Sequence, residues 1–188
     1  MLGLAWQLAL AQAAMPPPAA RVDPASKTAL SGTPAAFARA LLEWQLPRAG
    51  LPAPDELAAL RDRVDALLWR RLRAAAARDA RCRRATPPDR KPDLWEHGWL
   101  IGGSDDTSMA WIERLQVAQR GPRARVDAVL VDGAVARGRW HGELRQRHGR
   151  WQLVDVIDGE GRSLRAALAT HAAEPCAAQA AKPGSSVH

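Results

Sequence analysis

The apolar positions follow two different periods along the chain, and the period changes near Leu94. Between residues 33 and 82 apolar side chains recur every three or four positions, as on one face of a helix. From Leu94 onward apolar and polar positions alternate, which is typical of strands with one buried face. The pattern therefore predicts helices followed by an antiparallel sheet, and so an α+β domain.

Two helices are predicted in the first half of the chain. The first begins at Thr33, a suitable N-cap, with Pro34 at the first helical position. The segment PRAGLPAP separates it from a single long helix over residues 55–82, whose first turn carries Asp55 and Glu56. The apolar stripe of this long helix consists of Leu57, Leu60, Val64, Leu67, Leu68, Leu72 and Ala75.

The second half predicts a curved antiparallel meander of three to four strands, with the two helices packed on it and a short C-terminal helix over residues 163–171. The strands cover residues 108–119, 123–131, 136–147 and 150–158. Asp132-Gly133 predicts a two-residue hairpin turn, and a second turn is expected at His148-Gly149. The segment LWEHGWLIGG is either a short strand or an ordered loop.

The two ends of the chain do not fit this domain. Residues 1–14 combine an apolar run with Ala11-Gln12-Ala13 and predict a secretory signal peptide, although an ordinary apolar tail is the alternative. Residues 15–32 are expected to be a linker, residues 33–171 a single domain and residues 172–188 a disordered tail. No apolar run reaches the length of a membrane span. We therefore expect a periplasmic or secreted protein.

The charge does not by itself identify a partner. The formal net charge is +7, but the basic residues are nearly all arginine, and the lysines are only Lys27, Lys91 and Lys182. The densest basic run, WRRLRAAAARDARCRR, lacks interleaved stacking aromatics and matches no recognition-helix pattern. A solvated helix face is the expected role of this run. Nucleic acid is not the expected partner.

The two cysteines point to a disulfide rather than a metal. Cys82 and Cys176 lie far apart in the sequence, and neither belongs to a C-x-x-C pair, which excludes the usual zinc and thioredoxin-type motifs. In an oxidising compartment they are expected to form one disulfide, and two unpaired thiols are the alternative. The sequence predicts no metal site and no cofactor.

Asp155 is the one carboxylate on an apparently core-facing strand. A two-residue turn at His148-Gly149 would place Gly142 opposite Asp155, leaving a dent between Trp140 and Trp151. A carboxylate in such a dent could serve as a general base, which makes Asp155 a weak catalytic candidate. The alternative is a structural acid held by hydrogen bonds. No nucleophile motif or phosphate-binding glycine loop accompanies it.

Trp95 and Trp99 lie in the loop-like segment that precedes the sheet. Exposed tryptophans at these positions could hold a partner protein or a glycan. The alternative is that they pack over the open end of the sheet.

Most of the predicted domain resembles a known group of proteins. The helices, Lys91-Pro92 and a closing meander resemble a family of exported bacterial domains of unknown function, whose cone-shaped fold is similar to nuclear-transport-factor-like and ketosteroid-isomerase-like domains. The resemblance spans roughly residues 33–160. Its closing motif consists of Trp140, Leu144, Gly149, Arg150, Trp151, Leu153, Val154, Asp155 and Val156. The resemblance implies no established activity, since relatives of this fold include binding modules and a minority of enzymes.

These observations predict a non-catalytic binding or protein-interaction module of the cell envelope, for example of immunity type. A protein partner in the envelope is the preferred hypothesis. The alternative is a small-molecule pocket protein, or an isomerase- or hydrolase-type enzyme that uses Asp155. The expected binding residues are Trp95, Trp99, Trp140, Gly142, Trp151 and Asp155.

Overall fold

The computed structural model describes residues 32–48, 50–95, 98–100, 111–132, 136–176 and 178–179. The predicted signal peptide and nearly all of the predicted linker lie outside these residues. The helices are α1 (Pro34–Gln45), α2 (Pro54–Leu60), α3 (Ala66–Ala85) and α4 (Leu164–Ala173). The strands are β1 (Lys91–Pro92), β2 (Trp111–Arg120), β3 (Arg123–Asp132), β4 (Ala136–Arg147), β5 (Arg150–Ile157) and β6 (Ala178–Gln179).

Strands β2 to β5 form the predicted antiparallel meander, in the order β2-β3-β4-β5. Helices α1 and α3 bury their apolar faces against one side of this sheet, and α4 joins the same core. The prediction of an α+β fold with a short C-terminal helix is confirmed. The largest core side chains include Leu41, Leu42, Leu68, Leu72, Trp99, Trp140, Trp151, Leu153 and Leu168.

The prediction of one long second helix is wrong, because the chain breaks between α2 and α3. At the break Asp65 caps α3, and its Oδ1 accepts a hydrogen bond of 2.8 Å from the Leu68 amide. The Leu153 amide donates to the Arg63 carbonyl at 2.8 Å, and the Asp65 amide donates to the Leu153 carbonyl at 2.8 Å. The break therefore pairs with the outer edge of β5, where Val64 forms a parallel bridge with Leu153.

The two predicted turns have different outcomes. His148 and Gly149 form the predicted two-residue turn, with φ of 50° and 75°, and Arg147 pairs with Arg150 across it. In the other hairpin Asp132 pairs with Ala136, so three residues separate the strands and a two-residue turn at Asp132-Gly133 is wrong. Those three connecting residues, 133–135, lie outside the described part of the chain.

The domain extends beyond the predicted end at residue 171. Helix α4 continues to Ala173, and β6 pairs with β1. Cys176 is bonded to Cys82 of α3, which confirms the predicted disulfide. The disulfide and hydrogen bonds from Arg78 of α3 to the carbonyls of Glu174 and Pro175 attach residues 174–176 to α3. The amino-acid composition after residue 171 is nevertheless typical of a disordered tail. Among the described residues, no helix combines the length and the apolar character that crossing a bilayer requires.

Candidate functional site

The hairpin of β4 and β5 contains a bulge that changes the predicted register. Leu144 pairs with Leu153, as predicted, but the next pair is Glu143 with Asp155. Val154 is the extra residue, and beyond it Gly142 faces Val156. The prediction that Gly142 lies opposite Asp155 is therefore wrong. A bulge places two residues of one strand against one of its partner, so the simple alternation used for the prediction ends there.

Gly142 makes room for Trp140 rather than for a ligand. A Cβ atom built on Gly142 would overlap the Cη2 atom of Trp140, so the indole lies directly over the glycine. The ring is buried, and its Nε1 donates a hydrogen bond of 3.0 Å to the Leu100 carbonyl. The space above Gly142, where a dent was predicted, is thus occupied by Trp140, which lies on the same strand as Gly142.

Asp155 connects the end of β5 to the beginning of α4. Its side chain is almost fully buried, with 2 % exposure. Oδ2 accepts hydrogen bonds from Ser163 Oγ at 2.6 Å and Arg165 Nε at 3.0 Å. Oδ1 accepts from the backbone amides of Val156 at 2.9 Å and Arg165 at 3.1 Å. These four donors use the acceptor positions that a carboxylate offers, so the geometry is that of a structural acid and not of a general base.

A second buried polar cluster, which the sequence reasoning missed, lies between α3 and α4. Arg78 is completely buried and donates to the side chain of Asp93 at 2.7 Å and to its backbone carbonyl at 2.5 Å. Asp79 Oδ1 lies 2.7 Å from His171 Nε2 and 3.3 Å from Arg78 Nη1. Burial alone would lower the pKa of Arg78, but the hydrogen bonds and charges of Asp93 and Asp79 outweigh it and raise that pKa.

The signal for this cluster is present in the sequence. Asp79 and Cys82 continue the apolar stripe of α3 beyond Leu72 and Ala75, so a carboxylate at this position must be buried and needs a partner. The partner, His171, lies 92 residues away. Its identity could not be obtained from the spacing.

The same cluster positions Trp95. The Trp95 amide donates to Asp79 Oδ2 at 3.1 Å, and its indole and the His171 ring form a T-shaped contact with centroids 5.3 Å apart. Trp95 is half-buried, whereas Trp99 is buried with 2 % exposure. The hypothesis of two exposed tryptophans on a surface loop is therefore wrong for Trp99.

Three of the predicted binding residues line one cavity, which we call the tryptophan cavity. Its volume is about 620 Å³, and it lies between Trp95, Trp99 and Leu100 on one side and β4, the end of β5 and the first turns of α4 on the other. Trp95, Trp99 and Trp140 contribute aromatic surface to it. Its other apolar lining residues include Leu100, Val156, Ile157 and Leu164, and its charged ones are Arg139, Asp158, Glu160 and Arg162. Gly142, Trp151 and Asp155 are not among its described lining residues.

Two buried hydrogen-bond donors belong to tryptophans that line this cavity. Trp95 Nε1 and Trp99 Nε1 are inaccessible to water, and neither has a hydrogen-bond partner among the described residues. Trp140 differs, because its Nε1 is satisfied by Leu100. Unpaired buried donors are uncommon in folded proteins, and each one requires an explanation.

The solvent-facing side of the sheet carries a separate polar pair. His141 Nδ1 lies 2.5 Å from Asp127 Oδ1 on the neighbouring strand, and Arg125 Nε lies 3.2 Å from the same oxygen. Burial tends to raise the pKa of Asp127, but the hydrogen bonds from His141 and Arg125 outweigh it and lower that pKa. In the described ranges, no three His, Cys, Asp or Glu side chains converge as a metal site.

Comparison of the chain with protein-family models, with curated proteins and with solved structures gives no match. The resemblance to exported cone-shaped domains therefore stays a prediction, and function has to be argued from the geometry of the chain itself.

Proposed function

We propose that the protein is an exported, non-catalytic binding module whose ligand occupies the tryptophan cavity. The ligand class is a small, mainly apolar molecule that carries hydrogen-bond acceptors. The observation that supports this proposal most directly is that Trp95, Trp99 and Trp140 line one cavity together. The indole N–H groups of Trp95 and Trp99 also lack a hydrogen-bond partner among the described residues. A buried donor without a partner costs about 1–3 kcal/mol. Both N–H groups are inaccessible to water, so a carbonyl, ether or hydroxyl oxygen of a ligand would remove that cost only after a rotation of the indoles.

The size and lining of the cavity agree with such a ligand. Its volume of about 620 Å³ falls within the range of pockets for small molecules. Three tryptophans and five aliphatic side chains offer apolar contact, while Arg139, Asp158 and Glu160 lie among the charged lining residues. An apolar body with one or two acceptor groups fits this distribution better than a charged ligand does.

The described lining residues do not favour catalysis. Ser163 is the hydroxyl residue among them, but its Oγ donates to Asp155 and accepts from the Ala166 amide as the N-cap of α4. Asp155 is itself saturated with donors. A version of the proposal in which Trp99 grips a partner protein is less well supported, because its ring is buried.

The proposal that the protein is exported rests on its disulfide. Cys82 and Cys176 are bonded, and structural disulfides persist mainly in oxidising compartments. The periplasm or the extracellular space is therefore the proposed location.

The test uses prodan, a neutral fluorescent naphthalene ketone that combines an apolar ring system with a carbonyl acceptor. We expect its emission to shift to the blue on titration with the full chain. Ala167 is exposed on α4 and lines the cavity, so Ala167→Trp should obstruct it and weaken binding about tenfold or more, equivalent to about 1.4 kcal/mol. Ala166→Trp is the matched control, because Ala166 is exposed on the same helix and is not among the described lining residues.

Two further variants test the donors. Trp95→Phe and Trp99→Phe keep an aromatic ring but remove one N–H each, and each should weaken prodan binding about three- to tenfold. Circular dichroism confirms that the variants are folded. Equal prodan affinity of wild type, Ala167→Trp and Ala166→Trp would overturn the proposal, and so would the absence of any binding by the wild type.

A further inference from the structure

Three arginines lie side by side across three strands, on the solvent-facing side of the sheet. Arg120 of β2 is directly opposite Arg123 of β3, and Arg123 is directly opposite Arg145 of β4. All three are exposed. We call them the arginine row. Neighbouring strands are about 4.8 Å apart, so the row extends over roughly 10 Å.

This arrangement is unfavourable for the isolated protein. Like charges directly opposite each other on neighbouring strands destabilise a sheet. Arg145 has partial compensation, because its Nη2 lies 3.5 Å from Asp65 Oδ2. For Arg120 and Arg123, the described residues include no acidic partner within ion-pair distance. The row therefore holds uncompensated positive charge at the end of the sheet.

The arginine row borders a depression that could hold a ligand. The depression has a volume of about 580 Å³ and is lined by all three arginines and by Arg125. Ala118 and Val154 supply apolar surface, and Glu143 is the one acidic side chain among the described lining residues. Its described lining residues are all different from those of the tryptophan cavity, so the two sites are separate.

We infer that the arginine row is a second binding site, and that its ligand is a compact polyanion with two or three neighbouring phosphate groups. Guanidinium groups form paired, charge-assisted hydrogen bonds with phosphate oxygens, and several of them can share one polyphosphate. Such a ligand would also remove the repulsion within the row. This inference is independent of the function proposed for the tryptophan cavity.

The test is isothermal titration of the full chain with pyrophosphate and tripolyphosphate at low ionic strength. We expect tripolyphosphate to bind more tightly than pyrophosphate, and both affinities to fall as sodium chloride is added. Arg123→Gln removes the central charge of the row and should weaken tripolyphosphate binding at least tenfold. Arg39→Gln is the control, because it removes one exposed arginine from α1, far from the row in sequence, and should change the affinity less than twofold.

A stability measurement separates a binding role from a structural one. Without ligand, Arg123→Gln should unfold at the same temperature as wild type or higher, because the substitution relieves repulsion. Equal loss of tripolyphosphate affinity in Arg123→Gln and Arg39→Gln would overturn the inference, since only net charge would then matter. Binding of a DNA duplex or of phosphatidylglycerol vesicles without binding of tripolyphosphate would also overturn it.

Discussion

Replacement of Asp155 by alanine tests the central structural conclusion about the hairpin. Asp155 is buried and accepts four hydrogen bonds, three of which join β5 to the N-cap and first turn of α4. If it is a structural acid, its removal should destabilise the fold strongly. If it were a strained functional carboxylate, its removal should leave stability unchanged or increase it.

The expected loss of stability depends on which hydrogen-bond donors lose their acceptor when Asp155 is replaced. The amides of Val156 and Arg165 are left without an acceptor, at a cost of about 1–3 kcal/mol each. The Arg165 side chain is 31 % exposed and can return to water, and Ser163 Oγ still caps the Ala166 amide, so these two donors lose less. We therefore expect Asp155→Ala to lower the free energy of unfolding by about 3–5 kcal/mol. Asp155→Asn, which keeps one acceptor oxygen, should lose about 2–3 kcal/mol.

Urea unfolding followed by tryptophan fluorescence measures this loss, with the slope of the transition checked for two-state behaviour. For a chain of 188 residues, the same loss corresponds to a melting temperature lower by about 10–15 °C. Glu160→Ala is the control, because Glu160 is an exposed acid of the following turn that pairs with Arg162 at 3.0 Å. That change should alter stability by less than about 1 kcal/mol. A loss below about 1 kcal/mol for Asp155→Ala would refute the structural role.

Three further predictions concern other parts of the domain. Reduction of the Cys82–Cys176 disulfide, whose cysteines are separated by 94 residues, should lower the free energy of unfolding by about 4–5 kcal/mol in the chain-entropy model. Urea unfolding with and without reductant measures this loss, and the double serine variant should not respond to the reductant. Gly142→Ala should lose about 1–3 kcal/mol through overlap with the Trp140 ring, whereas Gly138→Ala on the same strand, with open space around it, should lose less in the same assay. Asp127 has a pKa below its ordinary 3.8, so its ionised form stabilises the fold above about pH 4, and this contribution is lost as the pH falls through the lowered pKa. The stability difference between wild type and Asp127→Asn should therefore shrink below pH 4 in acid titrations, and a difference that grows there would contradict the pairing with His141.

Local patterns were sufficient for most of the fold. The change of hydrophobic period at Leu94 predicted helices followed by a meander, because burial of one face imposes a period of 3.6 on a helix and of 2 on a strand. The His148-Gly149 turn was predictable because it needs two residues at positive φ. The cysteine pair was predictable because two cysteines outside any metal motif leave few alternatives.

The break between α2 and α3 could not be predicted from the apolar stripe. Leu60, Val64 and Leu68 keep a spacing of four whether the helix continues or not. Only the edge of β5, with its free Leu153 amide and carbonyl, makes the extended alternative favourable. The bulge at Val154 is a similar case, since it depends on how two strands align and not on either strand alone.

Both candidate sites were decided by the tertiary structure. The sequence identified Trp95, Trp99 and Trp140 as notable, but burial and the positions of β5 and α4 decided that they share one cavity. The arginines of the row were visible only as part of an arginine-rich composition. Strand register placed Arg120, Arg123 and Arg145 in contact with a common depression, because register joins residues that are distant in the chain. The sequence by itself thus determined most of the helices, strands and turns, because their causes are local. The packing of those elements decided which side chains meet.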